Sequence, residues 1–371
     1  METDFKDTLI IIPSDEPWSE IWHTQLHYGW ELSRRFNVFY IAPPDKWNFL
    51  NFFKWKQTEE KINDRLLIIK YHNIFPLFIF KNFFVRLNDV FNSILIRKKI
   101  SASVKKIIFW SFDHFRMLFP TLIKADYFIY HVVDCYIGQD NDAEMANKAD
   151  LVITTSPEFL DYYLQLNKNV INIPQAVSRD EFLYDEATVR KIKNEFGRII
   201  LFIGTLTDYY SIELFESISD KFTDHTLLLI GPDKLSDEED KKKFKNLIIK
   251  KNVKYIGPIN GPELKNYVKS AEVGIIPYKF SHEREISIRS PLKTINYIAH
   301  KKPVITTINC EIHKLENNEI YTAENKNEFL ELLEKAVNKK LYIDEKTIED
   351  FLKTISYDIQ IDFILSKIYQ I

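Results

Sequence analysis

Lys293 is the residue from which the chemistry of this chain is read. It follows Ser290-Pro291, a pair that starts a helix, since Ser is a good N-cap and Pro suits the first helical position. The first turn of a helix carries unpaired N–H groups and the positive end of the dipole, so a lysine placed there opposes it. The arrangement makes physical sense when an anion such as a phosphate sits between the two. The plain alternative is a solvated lysine at a helix start. Upstream, the apolar run Val273 to Pro277 reads as a buried strand, and Tyr278 to Arg289 as a polar, charged loop. Downstream, the helix ends near His300, and Lys302-Pro303 leads into a second apolar strand, Val304 to Thr306. Strand, polar loop, anion-ready helix and strand make a nucleotide-phosphate site at the carboxyl end of a parallel sheet.

Other residues have types and positions suited to the same chemistry. Gly204 closes the apolar run Ile199 to Ile203 and is followed by Thr205. Without a side chain, its backbone can approach a phosphate or a sugar, or simply make a tight turn. Asp134 falls at the carboxyl end of the apolar run Tyr127 to Val133. There it could take a proton from a hydroxyl, or cap the turn that follows. His131 and the pair Asp113-His114 are further candidates, with a hydrogen-bonded core histidine as the bland reading. In the central loop, Arg284 and Arg289 could pair with a diphosphate or a sugar carboxylate, which the planar guanidinium fits well. Asp208 and Tyr209 could touch the sugar. No Asp-x-Asp pair is suitably placed for a metal, so none is expected. The dinucleotide motif Gly-x-Gly-x-x-Gly is missing, which argues against a nicotinamide or flavin enzyme.

These residues need a scaffold of strands and helices. The chain has 371 residues, long for a single core and suited to two domains. Thr8 to Ile12, Val38 to Ile41, Lys106 to Phe109 and Leu151 to Thr154 read as parallel-sheet strands, with a helix over Ile21 to Arg35 after the first. In the second half, Thr226 to Ile230 and Val253 to Ile256 are strands ending in Gly231-Pro232 and Gly257-Pro258. A charged helix, Asp237 to Lys250, lies between them with a solvated face. Ile348 to Ile371 carries apolar residues at helical spacing. The formal net charge of −3 gives no reason to expect nucleic acid. Cys135 and Cys310 have no metal-type spacing and are expected to be reduced thiols in a cytoplasmic protein. Met1 to Pro13 does not read as a signal peptide, and no run is long enough to span a membrane. The stretches Trp47 to Lys56 and His72 to Arg86 mix aromatics with Lys and Arg. They read either as core aromatics with exposed lysines or as a surface for an anionic membrane.

Ser290-Pro291-Leu292-Lys293-Thr294-Ile295-Asn296-Tyr297, followed by Lys301-Lys302-Pro303-Val304, resembles the donor-binding segment of GT-B glycosyltransferases of the bacterial surface-polysaccharide type. There the pattern is Asn-Pro-x-Lys-x-x-Glu-Tyr, then Gly-Lys-Pro-Val. Asn296 replaces the acidic residue that the resemblance would place on the donor ribose. The Glu-x7-Glu pattern of many retaining members is absent, with Ile288 and Asn296 at its ends. Looser matches cover most of the chain: Val38 to Pro44, Ala149 to Ser156, and Asn172 to Phe182, where Gln175-Ala176 replaces Asn-Gly.

The resemblance implies an α/β GT-B fold: two Rossmann-like domains facing across a cleft, with the C-terminal helix crossing back to the N-domain. The expected divisions are 1–175 for the acceptor domain, 176–352 for the nucleotide-sugar domain and 353–371 for the returning helix. It implies sugar transfer from a nucleoside-diphosphate sugar, a UDP-sugar first, to a hydroxyl of a surface glycan or lipid-linked glycan. Lys293 and Asp134 are the implied catalytic pair. Gly204, Thr205, Gly257, Pro258, Tyr278, Arg284, Arg289, Ser290, Pro291, Leu292 and Asn296 are the implied donor contacts. No cofactor or metal is implied, an inverting route is favoured, and the location is cytoplasmic with contact at the inner membrane face. A non-hydrolysing nucleotide-sugar epimerase and a non-catalytic sugar-binding or scaffolding relative are the alternatives.

Overall fold

The computed structural model describes residues 7–19, 22–45, 47, 57–77, 81–259, 261–280, 292–307, 320–341 and 344–371. The chain divides into two compact units, Met1–Pro174 with Gln360–Ile371, and Gln175–Ile359.

The strands of the first unit are β1 (Thr8–Pro13), β2 (Asn37–Ile41), β3 (Thr58–Lys61), β4 (Leu66–Lys70), β5 (Lys106–Ser111), β6 (Tyr127–Val132), β7 (Leu151–Thr154) and β8 (Val170–Asn172). They form one sheet in the order β3-β4-β2-β1-β5-β6-β7-β8. All neighbours are parallel except β3, which runs antiparallel to β4. β1 is Thr-Leu-Ile-Ile-Ile-Pro and is buried along its whole length. A continuous apolar run of this kind suits a strand covered on both faces by helices. β3 reads Thr-Glu-Glu-Lys and is fully exposed, so its edge position is held by backbone pairing with no apolar signal in the sequence.

The second unit holds β9 (Ile199–Ile203), β10 (Thr226–Ile230), β11 (Val253–Tyr255), β12 (Val273–Ile276), β13 (Val304–Thr306) and β14 (Ile320–Thr322). Their order is β11-β10-β9-β12-β13-β14, all parallel. This is the doubly wound order in which the chain starts at the centre, builds outward one way, then returns to build the other. The resulting switch point lies between β9 and β12. Its counterpart in the first sheet lies between β1 and β5.

The C-terminal residues belong to two helices, Glu345–Thr354 and Tyr357–Ile368. Residues up to Ile359 stay with the second unit, and the chain from Gln360 is part of the first. There Gln360 accepts from the Tyr28 hydroxyl at 2.9 Å and donates to the Pro174 carbonyl at 2.9 Å. Asp362 pairs with Arg35 at 2.6 Å, and Tyr369 packs edge-on against Tyr127. The fold is thus two Rossmann-like units with the C-terminal helix returned to the first.

Candidate functional site

At the switch point of the second sheet the backbone is built from glycines. Gly204, Gly231 and Gly257 follow β9, β10 and β11, with φ of 132°, 138° and 70°. The Gly204 N–H donates to the Ile230 carbonyl and the Gly231 N–H to the Gly257 carbonyl, each at 2.9 Å. A Cβ on Gly231 would fall 2.0 Å from the Gly204 oxygen, so the two turns can pack only without a side chain there.

Lys293 enters this site from the helix Leu292–Ala299, which follows the segment after β12. Its ammonium donates to the Tyr210 hydroxyl. It lies over the rings of Tyr210 at 4.7 Å, Phe202 at 5.5 Å and Tyr278 at 5.5 Å. Tyr210 and Tyr278 stack with centroids 4.7 Å apart. Lys293 Nζ stands 3.0 Å from where a Cβ on Gly204 would be. Among the described residues no carboxylate pairs with it. The lysine is therefore held by ring faces beside a bare stretch of backbone.

Tyr297, one turn further along the same helix, anchors the arrangement. The ladder between β9 and β12 stops at Leu201, and the Tyr297 hydroxyl takes the next place. It accepts from Ile203 N–H at 3.0 Å and donates to the Leu201 carbonyl at 3.0 Å. Where β12 parts from β9 at the switch point, a tyrosine satisfies the orphaned groups of β9.

Thr205 is half-buried beside Gly204, and Pro258 is exposed. Leu292 opens the helix and Asn296 lies one turn on, half-buried, with no side-chain hydrogen bond among the described residues. Arg284, Arg289, Ser290 and Pro291 lie outside the described residues, as do His282 and Glu283. Asp208 is committed to the loop itself. Its carboxylate accepts from the Ser236 hydroxyl and from the amides of Ser236 and Asp237, which lowers its pKa.

In the first unit, Asp134 lies two residues past β6. Much of its surface is in solvent, and its Oδ1 accepts from the Cys135 N–H at 2.8 Å. Crowding around the carboxyl raises its pKa. Sequence reasoning passed over a more enclosed group at the switch point of this sheet. Asp15, just past β1, accepts from the Gln25 amide at 2.9 Å and from the Tyr136 hydroxyl at 3.1 Å. Burial, then the nearby Asp113 and Glu16, push its pKa up to about 6. Asp113, past β5, is paired with Arg116 at 2.6 Å and accepts two backbone amides. His114 stacks on Tyr136 at 4.1 Å. The one available signal was position: Ser14-Asp15-Glu16 directly follows the first strand. His131 is a core residue, accepting from the Trp110 indole at 3.2 Å, and burial lowers its pKa to about 3, so it is neutral. No group of three metal-ligating side chains occurs among the described residues.

Residues 197–339 match the family Glycosyl transferases group 1. Over 125 residues the chain is 27% identical to TuaH of Bacillus subtilis, a protein assigned to teichuronic acid biosynthesis as a glycosyltransferase; the match spans 34% of this chain and 30% of that relative's length. Among solved structures, a sucrose-phosphate synthase from Thermosynechococcus elongatus superposes with a TM-score of 0.69 at 15% identity, covering 98% of both chains. The Anabaena HepE protein, in complex with UDP and glucose, superposes with a TM-score of 0.67 at 12% identity, again over 98% of both chains. The chain thus has the GT-B fold. Its second unit carries a group 1 glycosyltransferase domain.

Proposed function

We propose that the protein transfers a sugar from a nucleoside-diphosphate sugar to a hydroxyl of a surface glycan or lipid-linked glycan. The observation that carries this is the Lys293 ammonium at the switch point, beside Gly204 and without a carboxylate partner among the described residues. A UDP-sugar is the first choice of donor, on the likeness to HepE, which was solved with UDP-glucose. A teichuronic-type polymer as acceptor follows the likeness to TuaH.

In the reaction, the bond between the anomeric carbon and the diphosphate oxygen breaks, and its electron pair leaves with the diphosphate. A bond from the acceptor oxygen to that carbon forms, and the hydroxyl proton passes to a base. Lys293 and the backbone amides at the start of its helix stabilise the negative charge that builds on the leaving group. One such preorganised donor contributes on the order of 3–4 kcal/mol. Asp134 is the proposed base on an inverting route, which needs no metal. A lipid-linked acceptor would place the enzyme at the inner membrane face.

Calorimetry with UDP, followed by product analysis with UDP-sugars and a lipid-linked glycan, tests the reading. Nucleotide binding and a glycosylated acceptor are expected. Free sugar-nucleotide epimer without acceptor would replace the reading with an epimerase, and no affinity for any nucleoside diphosphate would replace it with a scaffold.

A further inference from the structure

The helix Lys81–Lys99 is inside out. Its buried positions are Val85, Asn88, Asp89, Asn92, Ser93 and Ile96, four of them polar. Its outward positions include Phe83, Phe91 and Ile94, exposed to 63%, 41% and 42%, with Leu87 and Val90 half-exposed between them. Positions 83, 87, 90, 91 and 94 follow helical spacing, so they form one stripe, about 16 Å long at 1.5 Å per residue.

The inward polar face has a local reason. Asn88 accepts from the amides of Ile74 and Phe75 at 2.9 Å each and donates to the Phe75 carbonyl. Asp89 accepts from the Leu118 amide at 3.2 Å. Gln57 donates to Asn92. The helix thus satisfies the backbone of neighbouring loops with its polar side. Nothing of that kind accounts for the outward stripe, and a soluble helix normally hides such a face.

Charge identifies what the stripe meets. The helix carries Lys81, Arg86, Arg97, Lys98 and Lys99 against one acid, Asp89, which faces inward. Lys81, Arg86 and Lys99 have partners in Asp140, Glu144 and Glu59. Arg97 and Lys98 have no carboxylate partner among the described residues. Two copies joined along this stripe would leave Arg97 and Lys98 without a partner, because the carboxylates beside the helix, Asp140, Glu144 and Glu59, already hold Lys81, Arg86 and Lys99. An anionic bilayer suits both features, taking phenylalanine and isoleucine below its headgroups and the bases among them.

We propose that the outward face of Lys81–Lys99 docks the protein in the plane of an anionic membrane surface. The part of the basic aromatic stretch after Trp47, residues 48–56, lies outside the described residues and contributes nothing to this assignment. The surface does not depend on the transfer reading, because lipid binding and nucleotide binding are measured separately.

The test is sedimentation of the full chain with phosphatidylcholine vesicles, with or without phosphatidylglycerol. Binding is expected to the anionic vesicles alone, weakening as salt rises. Phe83→Ser/Phe91→Ser/Ile94→Ser should bind at least tenfold more weakly. Arg97→Gln and Lys98→Gln should each cost about fivefold, the equivalent of about 1 kcal/mol per basic residue near the surface. All variants should keep the wild-type Tm and UDP affinity, since the positions are outward. Absence of vesicle binding overturns the proposal. A wild-type dimer by light scattering that the triple variant dissolves also overturns it, and gives the stripe to a second copy.

Discussion

Tyr297 lies flat on Gly274. A Cβ built on that glycine would come 2.4 Å from the ring, closer than any real packing contact. The glycine in the middle of β12 therefore exists to admit the ring that ties the Lys293 helix to the end of β9.

Gly274→Ala should push the ring off the strand and cost about 3 kcal/mol, the upper range for overpacking a core. Tyr297→Phe keeps the ring but strands Ile203 N–H and the Leu201 carbonyl, and should cost about 1–3 kcal/mol. Urea denaturation of both variants reads this out. Equal stability to wild type in either would mean that the switch point is held by something else.

Lys293→Ala should lower kcat/KM for sugar transfer by roughly 10²-fold or more, the scale of one lost transition-state donor. Gly204→Ala should weaken UDP binding by about tenfold, since a methyl group there displaces the ammonium and its φ of 132° suits glycine. Calorimetry and steady-state kinetics check the two. Wild-type turnover in the lysine variant would remove its assigned role.

Stability should fall with pH because of two enclosed carboxyls. Asp15 titrates at about 6 and Asp89 at about 7, both raised chiefly by burial. A raised carboxyl holds its proton more tightly in the folded state, so its contribution is complete below the unfolded value of about 4 and is lost as pH rises through the folded one. The decline should run from about pH 4 to about pH 6 for Asp15 and about pH 7 for Asp89. Asp15→Asn and Asp89→Asn should each flatten their own part of the Tm-against-pH curve. An unchanged slope in both would mean that neither carboxyl is perturbed.

Lys301 ends the Lys293 helix with φ of 57°, a left-handed conformation that favours glycine. Its amine pairs with Glu345 and Glu349, contacts at the surface worth at most about 1 kcal/mol. Lys301→Gly and Lys301→Ala both lose those pairs, but only the glycine variant loses the strain. The glycine variant should be about 1 kcal/mol more stable than the alanine one by denaturant titration.

Much of the framework could be read from residue order. Unbroken apolar runs such as Ile199–Ile203 marked the parallel strands, and the position of Lys293 after β12 marked a cationic helix start. β3 could not be seen, because Thr-Glu-Glu-Lys has no apolar pattern and is held at its edge by backbone pairing and by the surface ion pairs of Glu59 with Lys99 and Glu60 with Lys70. The role of Tyr297 was equally hidden, since an aromatic at helical spacing looks like ordinary core.

The sequence by itself determined where the buried parallel strands fall and that a cationic helix start follows β12, because burial on both faces is a local demand on residue type. Only the tertiary structure decided that Asp15 and Asp113 meet at one switch point, since strands distant in order become neighbours there. It also decided which side of Lys81–Lys99 faces outward. Periodicity fixes that a helix has two faces, but the loops beside it, with amides in need of acceptors, chose the polar one for the inside.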